Sequence, residues 1–162
     1  MSTVAVTRLI NAPPLRVWRV FTDLRARTGR LSTVDAAEVL TPPPFGPGTV
    51  WRETRTTPDG TKVTEEFHVE EAIPFHRFTV TSPGIGANYR TTYTFTSVEV
   101  GRHRGATLVT VVQEGSPTTP YGRLLALVFG GLAARAVEGA LRQDLIDLAA
   151  AAVRAEDDPL AA

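Results

Sequence analysis

Alternating apolar and polar residues predict a chain dominated by β-strands. Residues 3–10 predict a first strand, because Val, Thr, Leu and Ile alternate loosely there until two prolines intervene. From Val34 onwards the sequence is rich in β-branched and aromatic residues that are separated by turn residues. This pattern predicts six more strands, at 34–41, 48–57, 61–72, 76–82, 88–98 and 106–115.

Helical spacing occurs after the first strand and again at the end of the chain. Pro14 suits the first turn of a helix, and the apolar residues behind it predict helices at 14–22 and 24–31. A final helix is predicted over 119–154. A straight helix of that length would extend about 50 Å. We therefore expect a bend at Gly130-Gly131, where side chains are missing.

The segment Thr-Pro-Asp-Gly-Thr at 57–61 predicts a three-residue hairpin loop, which fixes the register of two strands. Pairing Thr57 with Thr61 places three cross-strand pairs on one face of the hairpin: Trp51 with Phe67, Glu53 with Glu65, and Arg55 with Val63. Val69 lies on the same face, which we expect to be buried. The same alternation on the later strands predicts a further set of inward-facing residues. They are Phe78, Val80, Tyr89, Thr91, Tyr93, Phe95, Val109, Val111 and Gln113.

Length and charge restrict the classes of function. The 162 residues predict one domain over 1–155 and a flexible tail at 156–162. With no cysteine, disulfides and thiolate sites are excluded, and 17 basic against 17 acidic residues argue against nucleic acid as a partner. The longest apolar stretch, 124–134, is too short to span a bilayer, and no secretion signal precedes the first strand. We therefore expect a cytoplasmic protein without integral membrane association, as a monomer or weak homodimer.

The order of several short segments resembles the START-like, helix-grip (SRPBCC) superfamily, in particular its polyketide cyclase/dehydrase-like group. The resemblance covers about residues 3–154. It rests on 11–18 (Asn-Ala-Pro-Pro-Leu-Arg-Val-Trp) with Asp23, 46–51 (Gly-Pro-Gly-Thr-Val-Trp), 69–78, and Tyr93-Thr94-Phe95 leading to Gly105-Ala106-Thr107. It implies an α+β fold in which a curved seven-stranded antiparallel sheet wraps a long C-terminal helix, with two short helices after the first strand.

The same resemblance implies a cavity between the sheet and the final helix that holds an apolar small molecule. Residues 25–31 are basic here, where the family often carries an aromatic pair. The stripe on the final helix that would face the sheet consists of Leu127, Gly131, Ala134, Glu138, Leu141, Leu145 and Leu148.

Carboxylates on the inward face are the candidates for catalysis. Glu53 and Glu65 lie opposite each other, and two neighbouring carboxylates in a partly dry site cannot both ionise readily, so one would serve as general acid or base. The alternatives are a structural ion cluster with Arg55 or a wet strand end. Glu138 is a third candidate, with Arg135 or Arg55 as its partner, or else it lies at a wet helix edge.

Ligand contacts are expected from inward-facing residues of the sheet and the final helix. The candidates are Trp51, Arg55, Phe67, His76, Phe78, Tyr89, Thr91, Tyr93, Gln113, Leu127, Gly131 and Ala134. Ordinary core packing is the alternative for the tyrosines and Gln113. His68 is expected on the solvent face and His103 in a turn, so no metal site is expected, and no cofactor motif occurs.

Three classes of function remain. The first is a module that binds a hydrophobic or aromatic small molecule, such as a lipid or polyketide. The second is a cofactor-free cyclase, dehydratase or isomerase that uses the cavity carboxylates and tyrosines. The third is a protein-interaction module, suggested by members of the resembled superfamily. The fold does not decide between them, and binding is the hypothesis we favour.

Overall fold

The computed structural model describes residues 1–57, 59–84 and 86–155, except for the side chains of 121–133. The strands are β1 (Ser2–Ile10), β2 (Ala36–Val39), β3 (Val50–Thr56), β4 (Lys62–Ile73), β5 (Arg77–Pro83), β6 (Ala87–Ser97) and β7 (Thr107–Pro117). The helices are α1 (Pro14–Thr22), a 3-10 turn (Leu24–Ala26), α2 (Arg27–Arg30) and α3 (Pro120–Arg154). The predicted strands and helices are all present, with bounds that differ by a few residues, and the predicted second helix is divided between the 3-10 turn and α2. The predicted tail at 156–162 lies outside the described residues.

The strands form one seven-stranded antiparallel sheet in the order β1-β7-β6-β5-β4-β3-β2. The predicted hairpin register is confirmed, since Trp51 pairs with Phe67 and Glu53 with Glu65. Gly60 adopts a φ of 86°, as the predicted loop requires. The sheet, the short helices and α3 together form the predicted α+β helix-grip architecture.

The hydrophobic core lies between the sheet and the helices. Helix α1 buries Val17, Trp18, Val20 and Phe21, because these positions recur on one side of the helix. The last turns of α3 bury Leu145, Leu148 and Ala152. Helix α3 packs against β1 and β7 and also contacts α1. These contacts cover one face of the sheet.

The predicted burial of Val63 is wrong, and the predicted bend in α3 stays untested. Val63 was expected to be buried, but its residue is 42% exposed, because it pairs with Arg55 near the hairpin end of the strands, beyond the covered part of the sheet. The bend expected at Gly130-Gly131 lies within 121–133, where the structure describes no side-chain packing. It stays a prediction, within a helix that runs without a break from Pro120 to Arg154.

Candidate functional site

A cavity of about 230 Å³ lies between the sheet and α3. One side is apolar, with the ring of Trp51 stacked on that of Phe67 at 5.1 Å between centroids. The other residues that line the cavity come from β3 to β7, α2 and α3, and they are Arg27, Glu53, Arg55, Glu65, Val80, Ser82, Tyr89, Thr91, Tyr93, Gln113, Val137, Ala140, Leu141 and Asp144. The cavity thus combines an apolar wall with a concentrated set of polar groups.

Glu53 is the centre of a buried ion cluster. Its residue is only 1% exposed. Its Oε1 atom accepts hydrogen bonds from Nε of Arg27 and, at 2.8 Å, from Nε1 of Trp51. Its Oε2 accepts from Nη2 of Arg55 at 2.9 Å. Burial acts to raise the pKa of Glu53, but the two guanidinium groups outweigh it and hold the pKa below its ordinary value. Glu53 is therefore ionised and fully engaged.

Asp144 joins this cluster to the final helix. The Arg55 guanidinium donates to both of its carboxylate oxygens, at 3.1 and 2.9 Å, in the two-pronged geometry that arginine favours. Thr33 donates to Oδ1 of Asp144 at 2.7 Å and accepts from Nη1 of Arg55 at 2.6 Å. Although burial alone would lower the pKa of Arg55, Asp144 and Glu53 raise it, so the cluster stays charged. It ties β3 to α3 at one side of the cavity.

Glu65 lies opposite Glu53 but has a different environment. Among the described residues, its carboxyl group has no hydrogen-bond or ion-pair partner. Burial raises its pKa, the nearby charge of Arg55 partly opposes this, and the negative charge of Glu53 adds to the rise. The two carboxyl groups therefore differ in environment, since Arg55 binds Glu53 and not Glu65. For Glu53 the arrangement is the structural ion cluster that the sequence offered as an alternative, and an acid or base role for Glu65 stays a prediction.

Hydroxyl groups line the cavity beside Glu65. The residue of Ser82 is 5% exposed, and its buried Oγ has no hydrogen-bond partner among the described residues. Tyr93 stacks on Phe78 at 4.4 Å between centroids, and burial raises the pKa of its phenol to about 12. These neutral hydroxyls can donate to an oxygen atom of a bound molecule.

Two glycines hold the ring of Tyr89 in place. A Cβ atom on Gly84 would lie 2.8 Å from Cε2 of Tyr89, and one on Gly115 would lie 3.3 Å from its Cε1. The same Cβ atoms would lie 2.8 Å from the backbone oxygen of Ala87 and 2.8 Å from Oγ of Ser2, so the ring is not the only group that a side chain would displace. The phenol of Tyr89 is therefore positioned at the cavity by close backbone contact.

The structure brings most of the predicted site residues together. Glu53, Glu65 and seven of the ligand candidates line the cavity, namely Trp51, Arg55, Phe67, Tyr89, Thr91, Tyr93 and Gln113. Phe78 is buried in the aromatic core, where it lines a much smaller void. Ala134 is half-buried and is not among the residues that line the cavity. Leu127 and Gly131 lie outside the residues whose side chains are described.

Two of the predicted positions are wrong. His76 was expected to point inwards, but it is exposed in the turn between β4 and β5, because β5 begins only at Arg77. Glu138 was expected to face the sheet, but its side chain is 41% exposed and pairs with Arg142 at 2.5 Å. The neighbouring Val137 lines the cavity in its place. Leu141, Leu145 and Leu148 of the predicted stripe do face inwards, so the stripe is wrong at Glu138 and not along its whole length.

Sequence reasoning missed Arg27, Asp144 and Ser82. Arg27 lies in a basic segment that is typical of a solvated surface. Asp144 follows Leu141 at helical spacing, but it stands among polar residues, so the apolar stripe did not include it. Ser82 could have been found, because it continues the inward alternation of Phe78 and Val80.

The described residues contain neither a cluster that could hold a metal ion nor a helix that could span a membrane. No group of three or more His, Asp or Glu residues in that part of the chain is arranged to hold a metal ion. His68, as expected, lies away from the cavity, with Nε2 at 2.8 Å from Glu66. No helix among the described residues is long and apolar enough to cross a membrane.

Comparisons with known proteins agree with this fold. A family model described as "Polyketide cyclase / dehydrase and lipid transport" matches residues 1–153. The solved structure of TTHA0849 from Thermus thermophilus is 27% identical, with 93% of this chain and 99% of that chain covered and a TM-score of 0.68. Protein CV1439 from Chromobacterium violaceum is 22% identical, with 93% and 96% covered and a TM-score of 0.67.

A third similar structure is the di-domain ARO/CYC StfQ from the steffimycin biosynthetic pathway. It is 13% identical, with a TM-score of 0.73, and the match covers 96% of this chain and 52% of that one. This chain therefore spans about half the length of StfQ, and the likeness concerns the fold. No match to a curated protein sequence was found.

Proposed function

The chain belongs to the polyketide cyclase / dehydrase and lipid transport family, and we propose that it binds a small aromatic molecule bearing carbonyl or phenolic oxygens in the cavity between the sheet and α3. The observation that carries the proposal is that the buried Oγ of Ser82 and the half-buried carboxyl of Glu65 have no hydrogen-bond partner among the described residues, in a cavity with stacked aromatic rings on its wall. Buried polar groups normally have partners, so an unpaired one marks a position where a ligand would supply one.

The donors and acceptors of the cavity favour a ligand rich in oxygen acceptors. Glu53 and Asp144 are already occupied by arginines and Thr33. The groups left to meet a ligand are the hydroxyls of the cavity, the amide of Gln113, the terminal nitrogens of Arg27 and, when protonated, the carboxyl of Glu65; the hydroxyls are those of Ser82, Tyr89, Thr91 and Tyr93. All of these donate hydrogen bonds. A ketone or phenol oxygen would accept them, and an aromatic ring would pack against Trp51 and Phe67.

The size of the cavity favours a compact ligand. Drug-sized ligands occupy pockets of about 300–1,000 Å³, whereas this cavity measures about 230 Å³. A molecule of one or two rings fits that volume better than a long lipid or a four-ring compound.

Calorimetric titration with tetralone, a two-ring ketone, tests the proposal. Tetralin has the same rings without the oxygen and is the matched ligand. We expect tetralone to bind more tightly, and we expect its affinity to fall as pH rises, because protonated Glu65 donates to the ketone and ionised Glu65 does not.

Variants assign this effect to Glu65. Glu65→Gln should bind tetralone with little dependence on pH, since the amide donates throughout. Glu66→Gln is the matched control, because Glu66 is the next residue and pairs with Arg52 on the opposite face of the sheet. Equal affinity for tetralone and tetralin in the native protein would contradict the proposal.

A second candidate function is proton transfer at a carbon next to a ketone, which an isomerase or cyclase requires. The specific observation is the raised pKa of Glu65, whose carboxyl has no partner among the described residues; the shift brings the pKa closer to neutrality and makes the ionised form a better base. The carboxylate would take a proton from the carbon, the electron pair would move to the ketone oxygen, and the hydroxyls of the cavity would stabilise that oxygen.

Exchange of the α-protons of tetralone in D2O, followed by proton NMR, tests this activity. The native protein should accelerate exchange, and Glu65→Gln should abolish the acceleration while tetralone still binds. Exchange at the same rate in Glu65→Gln would remove Glu65 as the base and leave binding as the function.

A further inference from the structure

A small void lies next to the main cavity. It measures about 10 Å³, close to the least volume that one water molecule requires. Its lining is almost entirely apolar and aromatic, and consists of Phe21, Leu24, Phe45, Phe78, Trp51, Tyr93 and Arg27. The last three also line the main cavity. These three side chains therefore form the partition between the two spaces.

The partition consists of two stacked rings and the side chain of Arg27. Trp51 is stacked on Phe67 at 5.1 Å, and Tyr93 on Phe78 at 4.4 Å, both with an interplanar angle of 19°. Arg27 lies over Trp51, with Cζ 5.8 Å from the ring centroid, and donates from Nε to Glu53. Its terminal nitrogens have no hydrogen-bond acceptor among the described residues. Arg27 is thus the part of the partition that substitution can remove without disturbing a stacked pair.

We infer that Arg27 limits the length of the ligand, by closing the main cavity off from the aromatic void. This inference rests on the proposed function and adds a specificity-determining residue to it. A ligand tail that reaches Arg27 meets a charged group bound to Glu53. Without the side chain beyond Cβ, the same tail would meet the rings of Phe21, Phe45 and Phe78.

A series of para-alkylacetophenones, from para-methyl to para-hexyl, measures the available length. Each methylene that enters an apolar space should tighten binding about fourfold. In the native protein we expect the gain to stop at a short chain. In Arg27→Ala it should continue for further methylenes, and the longest member that gains affinity should be longer than in the native protein.

The matched control is Arg25→Ala. Arg25 is an arginine in the same segment, but it is exposed and does not line either space. Its loss should leave the length profile of the native protein unchanged. A shift in Arg25→Ala as large as that in Arg27→Ala would attribute the effect to net charge and overturn the inference.

Removing Arg27 leaves Glu53 with one guanidinium partner, so folding must be secured separately. Arg27→Gln keeps an N–H donor for Glu53 with a shorter side chain, and should give a smaller lengthening. The double variant Arg27→Ala with Glu53→Gln removes the uncompensated charge and should give the full lengthening. Circular dichroism identifies the variants that are folded.

The outcomes separate the inference from the proposed function. Binding by the native protein with an unchanged length profile in the folded Arg27 variants would overturn the inference and leave the proposed function intact. Failure of the native protein and of every variant to bind any member of the series would contradict both.

Discussion

The two parts of the sheet interior differ in how they are filled. Beneath α1 the space is filled by aromatic rings, with Trp18 in edge-to-face contact with Phe78 at 5.7 Å and with Phe95 at 5.5 Å. Beside α3 the same sheet encloses a cavity of about 230 Å³. In the first part, apolar side chains pack directly against one another. In the second part, charged and hydroxyl groups line an open cavity.

The difference shows how one fold combines stability with a binding site. Dense aromatic packing beneath α1 supplies free energy of folding, since large rings bury much apolar surface. The polar cluster beside α3 uses ion pairs to hold Glu53, Arg55 and Asp144 in a dry environment. Buried ion pairs contribute little net stability, but they are costly to break. The two parts should therefore respond differently to substitution.

The largest effect is expected from Phe21→Ala, in the filled part. Phe21 is 1% exposed, and its ring centroid lies 5.3 Å from that of Phe95. We expect a loss of about 3–5 kcal/mol in the free energy of unfolding, measured by denaturant titration. Leu15→Ala is the control on the same helix, because Leu15 is 45% exposed and should lose much less. Equal losses would show that the part beneath α1 is not densely packed.

Breaking the ion cluster beside α3 should have the next largest effect. Glu53→Ala removes the partner of Arg27, while Arg55 keeps Asp144. We expect a loss of about 3 kcal/mol in the same measurement, because a charge is left buried without compensation. Glu66→Ala removes an exposed pair with Arg52 and should cost less than about 1 kcal/mol. A similar small loss for Glu53→Ala would mean that water replaces its partners.

Ser82→Ala should sharpen the contrast by separating stability from binding. The buried Oγ of Ser82 has no partner among the described residues, so its removal relieves an unsatisfied group. We expect the free energy of unfolding to rise by up to about 1 kcal/mol while tetralone binds less tightly. A loss of stability would indicate that a partner occupies this position in the free protein.

The smallest effects are opposite changes in the pH dependence of stability. The folded state lowers the pKa of Glu53 below its ordinary 4.5, so its contribution is present above that pH and is lost as pH falls through the folded pKa. The folded state raises the pKa of Glu65 above 4.5, so stability declines as pH rises from 4.5 through the folded pKa.

Replacement by glutamine should remove each slope separately. In denaturant titrations, Glu53→Gln should lose less stability on acidification than the native protein, and Glu65→Gln should lose less as pH rises above 4.5. If both substitutions changed the slope of stability against pH in the same direction, the two carboxyls would share one environment.

Local patterns predicted much of the site because β-strands impose a strict alternation. The loop around Gly60 set the register, and that register placed Glu53 opposite Glu65 on the inward face. The same alternation placed Tyr89, Thr91 and Tyr93 at the cavity. Sidedness on a strand depends on a period of two residues, so one well-defined turn determines it for a whole hairpin.

Helix α3 was harder to predict, because many of its residues are small and apolar. Several rotations about its axis would present an acceptable face to the sheet, and the sequence favoured the one that includes Glu138. Packing against β1 and β7 kept Leu141, Leu145 and Leu148 inside as predicted, but turned Val137 and Asp144 rather than Glu138 towards the cavity. His76 was misplaced for a related reason, since the exact start of a strand depends on the turn before it.

The sequence by itself determined the order of the elements, the register of the hairpin of β3 and β4, and the inward position of Glu53 and Glu65, because these follow from local periodicity and turn geometry. Only the tertiary structure decided that Arg27 and Arg55 pair with Glu53, that Asp144 pairs with Arg55, and that Glu65 is left unpaired among the described residues. Arg55 is two residues from Glu53 on the same strand, but Arg27 and Asp144 come from segments that are distant in sequence. Which carboxyl they neutralise depends on distances of a few ångströms that no periodic pattern specifies.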